Sequence, residues 1–297
     1  MSNKELLCTI LTHLTKEFQK LEYLLSLTFV GSGKRLVNIE EYDNLLYQMI
    51  QHWKVLDLDF VIIVDRLNNL KIKEINSLFK KIRQCAIPSN IKVTYEKRVG
   101  PIKLVTQRDP QIMFHRLLFD ERLYREYCQI NKLTPFNWQF HAPILGRSLR
   151  EICEIKGITK KDLLESRSGI KHFINMIETR TINPLLLRKS GPQYKYVTTS
   201  VNLGEQHYTK LILDSVIRCA GNLLKLHKPV YIEDEFKVGR LFQQTFGETK
   251  LKELPLLFAY YKNLMNCTPF KPIPDFIDFL RKQSLMFLRE IRRYLEN

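Results

Sequence analysis

The chain lacks any C-x-x-C pair and any H-x-x-x-H spacing accompanied by carboxylates, although it holds six cysteines and seven histidines. Cys8, Cys85, Cys128, Cys153, Cys219 and Cys267 are scattered. That pattern excludes the usual signatures of a structural zinc site and predicts free thiols in a reducing compartment. No apolar run approaches the length of a membrane span, and Met1 to Lys20 is charged and amphipathic rather than a charged stub, hydrophobic stretch and cleavage site. A soluble, cytoplasmic protein without a membrane partner is the expectation. Internal repeats and low-complexity tracts are missing too. Acidic residues are in short supply: 31 against 47 Lys and Arg, a formal net charge of +16. Such a balance raises the local concentration of polyanions and points to nucleotide or nucleic-acid partners, RNA among them.

The stretch Phe29 to Leu36, FVGSGKRL, invites comparison with a phosphate-binding loop. The Walker pattern needs glycine at position 28 and Ser or Thr at 35, where this chain has Thr28 and Arg35. A P-loop NTPase is therefore excluded.

What is present is a globular composition, 44% apolar and 26% charged, in a chain of 297 residues, long enough for two cores. Apolar positions at helical spacing predict a helix within residues 4–26, followed by a strand, LLSLTFV, stopped by Gly31. EEYDNLLYQMIQHW predicts a helix, VLDLDFVIIV a strand, and KIKEINSLFKKIRQ another helix. IKVTYEKRVGPIKLVTQ alternates and breaks at Gly100-Pro101, predicting two strands or one bent strand. Beyond Asp109 the pattern turns helical, with DPQIMFHRLLFDERLYREYCQI as one helix and TPFNWQFHAPILG as a packed loop. Further helices are expected from Ser148 to Arg188, and GPQYKYVTTSVNLG reads as a loop or short strand pair. Several more helices follow from Glu205, ended by prolines around Pro269, Pro272 and Pro274. The expected fold class is α+β: a small mixed sheet with flanking helices, then a mostly helical C-terminal region. The expected divisions are residues 1–146, a connector at 147–203, and a helical bundle at 204–297.

Asp57 and Asp59 lie two apart in the second apolar strand and so share one face. Two carboxylates among Leu56, Leu58, Phe60 and Ile62 need cationic compensation. Magnesium supplies it, because it favours few carboxylates together with substrate phosphate oxygens. A two-ion Mg2+ site would activate an attacking hydroxyl and stabilise departing pyrophosphate. With Gly31, Ser32 and Arg35 in the preceding turn, this arrangement resembles the DNA polymerase β-like nucleotidyltransferase superfamily. The resemblance covers roughly the first third of the chain and implies a nucleotidyltransferase sheet. It further implies that Gly31 and Ser32 hold the triphosphate of an NTP, with Lys34 and Arg35 nearby, while Asp57 and Asp59 bind magnesium. In this chain the link from Leu36 to Leu56 is extended, and Glu96, with Asp109 behind it, is the candidate for the family's third acid or for a base. The implied activity moves a nucleoside monophosphate from an NTP to RNA, a protein or a small molecule. An inactive scaffold that kept the nucleotidyltransferase fold is the alternative without catalysis.

A second resemblance lies between Leu149 and Pro184, which is similar to the helix-turn-helix of phage repressors. Thr159 and Asp162 are spaced as a capping box, and Gly169 falls at the sharp turn. In that reading Ile170 to Ile177 is the recognition helix, Arg167, Lys171, His172 and Asn175 face DNA, and the chain is a regulator. In the last helix Arg281, Lys282, Arg289, Arg292 and Arg293 form a basic set suited to RNA or another chain.

Overall fold

The structure is a computed structural model that describes residues 3–31, 55–100, 111–227, 232, 234–249, 251–267 and 273–297. Helix α1 (Asn3–Phe18) leads into β1 (Leu24–Val30), so the first helix stops well short of residue 26. The predicted helix EEYDNLLYQMIQHW lies outside the described residues. Next come β2 (Val55–Val64), α2 (Asn69–Ala86), β3 (Lys92–Glu96) and β4 (Arg98–Val99). The break between the last two strands falls at Lys97, ahead of the glycine and proline expected to cause it.

The segment expected as one long helix is divided. Gln111–Asp120 is strand β5 and only Glu121–Ile130 is a helix, α3. All ten residues of β5 are buried. A strand covered on both faces shows a continuous apolar run rather than alternation, so periodicity alone does not separate it from a buried helix. The switch is made by Asp120, whose carboxylate accepts from the Leu123 N–H at 2.8 Å and caps α3.

Residues 133–146 are likewise ordered rather than a loop. Leu133–Trp138 forms α4, and Pro143–Gly146 forms β6, an edge strand antiparallel to β1. The main sheet has the order β3-β5-β2-β1-β6. The first three run parallel, and β1 runs antiparallel to β2. It is a mixed sheet, as the α+β expectation requires.

Register decides what faces what. Glu96 pairs with His115 and His115 with Asp59, while Val30 pairs with Asp59 from the other side. Paired residues project together, so Glu96, His115 and Asp59 stand in a row across one face, with Asp57 two residues along β2. Phe60, Phe114 and Tyr95 project from the opposite face. There Phe79 of α2 packs edge-on to Phe114 at 5.2 Å and to Phe18 of α1 at 5.6 Å. Burying each such ring contributes roughly 2–3 kcal/mol, and this aromatic layer holds the strands in register. On the carboxylate face, the far end is closed by Phe119 against Tyr124 and Tyr127 of α3.

The rest of the chain includes the short helices α5 (Leu149–Ile152), α6 (Lys160–Glu165) and α7 (Ile170–Thr179). Two small sheets follow from β7 (Thr181–Ile182), β8 (Leu185–Ser190), β9 (Gln193–Thr198) and β10 (Val201–Asn202). In one of them β4 pairs with the β8-β9 hairpin, joining it to the end of the main sheet; in the other β7 pairs with β10. Four helices close the fold: α8 (Glu205–His227), α9 (Glu235–Thr245), α10 (Leu254–Cys267) and α11 (Pro274–Glu296). Pro274 opens α11 in its first turn, where proline's missing N–H is harmless, rather than ending a helix. A half-buried Lys262 joins three of these helices, with its Nζ 2.6 Å from buried Asp214 and 2.5 Å from buried Glu235. Among the described residues no helix is long and apolar enough to cross a membrane, and Cys8, Cys85, Cys128, Cys153 and Cys219 are free thiols.

Candidate functional site

Two neighbouring strands bring Gly31, Asp57 and Asp59 together. Gly31 ends β1 with φ +82°, a left-handed conformation that glycine adopts without strain. A Cβ built on it would lie 2.1 Å from Asp59 Oδ2. Gly31 is therefore pressed against the carboxylate of Asp59, and only a residue without a side chain fits there. Asp59 is buried and Asp57, on the same face, is half-buried. Ser32, Lys34, Arg35 and Asp109 lie outside the described residues.

The residue that sequence reasoning missed is His115. It comes from the centre of β5, the strand mistaken for helix. Its Nδ1 lies 2.5 Å from Asp59 Oδ1 and its Nε2 lies 2.7 Å from the carbonyl oxygen of Arg98. A carbonyl oxygen only accepts, so Nε2 carries a proton, and a second proton must lie between Nδ1 and the carboxylate. His115 thus fixes one oxygen of Asp59 and leaves the other directed at the Gly31 turn. The signal in the sequence is a run of ten residues, six of them apolar, that ends in a capping acid and carries His115 and Arg116 at its centre.

Glu96 reaches the same face, but two strands from Asp59, with His115 in between. Its carboxylate is engaged locally. Oε1 accepts from the backbone N–H groups of Lys97 and Arg98 and from Arg98 Nε, each at 2.9 Å, and Oε2 accepts from Arg98 Nη2 at 2.8 Å. Burial acts to raise its pKa, yet the Arg98 guanidinium and the backbone N–H groups prevail and hold it below the ordinary carboxylate range.

No family model, curated protein or solved structure matches this chain. The site is accordingly judged on its own geometry. Among the described residues no group of three or more His, Cys, Asp or Glu side chains is arranged to hold a metal ion. Asp57 and Asp59 supply two carboxylates, the number magnesium uses when substrate phosphates and water complete its shell. Such a pair fits an ion delivered with a nucleotide better than an ion held by protein alone.

The four residues assigned to DNA contact do not share one face. The capping box at Thr159 and Asp162 forms, and Gly169 sits where a Cβ would meet the Leu163 carbonyl oxygen at 2.7 Å. Arg167 turns inward, donating to the Asn183 carbonyl and to Thr198 Oγ1. His172 is half-buried, and burial followed by the nearby Arg167 charge pulls its pKa down. Lys171 and Asn175 are exposed, with Lys171 3.5 Å from Glu165. Leu163 and Leu164 are both buried. On α11, Arg281 and Lys282 flank Asp278, Arg292 pairs with Glu296, and Arg289 reaches Glu178, so much of that basic set is balanced within the fold.

Proposed function

We propose that this chain is a metal-dependent nucleotidyltransferase that moves a nucleoside monophosphate from an NTP to a hydroxyl-bearing acceptor. The observation that carries the reading is the contact of the Gly31 turn with Asp59, with Asp57 beside it on the same strand face. Gly31 would let a triphosphate approach Asp59 without a side chain in the way, and Asp57 and Asp59 share the face that it meets. Asp57 and Asp59 would hold magnesium, whose chemistry is to polarise the phosphate oxygens and favour ionisation of the attacking hydroxyl. In the transfer, the acceptor oxygen bonds to the α-phosphorus, the bond to pyrophosphate breaks, and the hydroxyl proton passes to water. Asp59 is oriented for this by His115, which takes the place on the adjacent strand where a third acid is otherwise expected.

A second reading, a scaffold that kept the fold without the chemistry, draws on one observation: Arg98 occupies Glu96, and His115 stands next to Asp59 instead of an acid. Incubation with each of four α-labelled NTPs, magnesium and a cell extract separates the two. Transfer of label by the unmodified chain and its loss in Asp57→Asn and Asp59→Asn is the expected result. No transfer with any nucleotide favours the scaffold; unchanged transfer in both variants refutes the site assignment.

A further inference from the structure

The opposite face of the sheet holds a charge that the proposed reaction does not use. Arg116 follows His115 on β5 and so projects the other way, toward α2. It is 8% exposed. One Nη donates to Asn76 Oδ1, whereas Nε is buried with no acceptor among the described residues. The guanidinium carbon lies 4.9 Å from the Tyr95 ring centre and 5.3 Å from that of Phe79. Burial pulls its pKa down, and among the described residues no carboxylate acts on it. Several buried acids have a charged partner: Asp59 has His115, Glu96 has Arg98, and Asp214 and Glu235 share Lys262. Ring faces compensate a desolvated guanidinium only in part, and an arginine presents five N–H donors in a fork shaped for an oxyanion.

The surroundings carry the same sign. Asn76, Lys80 and Arg83 fall at i, i+4 and i+7 along α2, one stripe of the helix. Lys80 and Arg83 are exposed; Asn76 sets the head of the stripe against Arg116, and the Arg83 charge reaches the same Tyr95 hydroxyl as that of Arg116. Glu74, one turn from Lys71, is turned away, accepting from the Tyr23 hydroxyl. Three cations without an intervening acid among the described residues suit a doubly charged group better than a singly charged one.

We infer that Arg116 anchors an oxyanion site for a phosphate group on the helix-covered face, with Asn76 positioning the fork and Lys80 and Arg83 at the entrance. The phosphate is either free or part of a polynucleotide backbone. Thermal unfolding in a chelator, which silences magnesium-dependent binding at the carboxylates, tests this with inorganic phosphate and, separately, a single-stranded oligonucleotide. Without additions, Arg116→Met should melt at or above the unmodified chain, because it removes an uncompensated buried charge. Phosphate at about a hundred times its Kd should raise the unmodified chain's Tm by roughly 5 °C and leave Arg116→Met unmoved. If only the oligonucleotide gives that Arg116-dependent rise, the phosphate comes from a polynucleotide. The Lys80→Ala/Arg83→Ala variant, altered only at exposed positions, should bind the effective probe about tenfold more weakly. Equal shifts in the unmodified chain and Arg116→Met, no shift with either probe, or undiminished binding by the double variant would each overturn the inference.

Discussion

Replacing Gly31 by alanine probes the join between the two strands directly. An L-residue at φ +82° costs roughly 1–2 kcal/mol by backbone crowding alone. The new methyl would lie 2.1 Å from Asp59 Oδ2, well inside contact distance, so the carboxylate must move. Moving it breaks the bond to His115, and a hydrogen bond involving a charged group is worth about 1.5–3 kcal/mol. The expected total for Gly31→Ala is about 3–4 kcal/mol. The two contributions separate in a double-mutant cycle with Asp59→Ala, since removing the carboxylate removes the contacts at 2.1 and 2.9 Å and leaves the backbone cost with a tight 3.1 Å contact to Cβ. In that background Gly31→Ala should cost only about 1–2 kcal/mol, a coupling of roughly 2 kcal/mol. Urea unfolding with linear extrapolation gives each corner, provided m is unchanged. Additive effects would mean that the turn does not rest on Asp59, and the construction of the site would be refuted.

Other consequences are testable in the same way. Glu96 has a depressed pKa in the folded chain, so its pairing with Arg98 stabilises fully above the unfolded carboxylate value near 4.3 and is lost as pH falls through the lower folded value. Glu96→Gln should therefore cost about 1 kcal/mol at pH 6 and progressively less below about pH 4, read from urea midpoints; a difference that grows on acidification would contradict the sign. Lys262→Met leaves Asp214 and Glu235 buried without their cation and should cost about 3–5 kcal/mol, measured by urea unfolding; a loss below about 1 kcal/mol would show that Lys262 does not bind the three helices together.

Much of the site's frame was legible before any coordinates. LLSLTFV and VLDLDFVIIV are the strands expected of them, because each combines branched apolar residues with a clear stop or an acidic interruption. Two-residue spacing placed Asp57 and Asp59 on one face without further information. The third strand was not legible, since QIMFHRLLFD is buried on both sides and its apolar run continues into a true helix. That error concealed His115, whose role exists only once parallel pairing sets it opposite Asp59. Arg98 is a related case: its capture of Glu96 depends on the bend at Lys97, a residue that carries no turn signal. Arg167 shows the limit on the other motif, because an arginine beside a turn reads as exposed until Asn183, ahead of β8, and Thr198 of β9 supply a carbonyl and a hydroxyl acceptor.

The most direct test of the proposed site is equilibrium binding of NTP, by calorimetry, with magnesium and with chelator, for the unmodified chain and for Asp57→Asn. The proposal predicts binding that requires magnesium and weakens at least tenfold in the variant, since half of the carboxylate charge facing the ion is removed. Absence of magnesium-dependent binding, or equal binding by the variant, would contradict it.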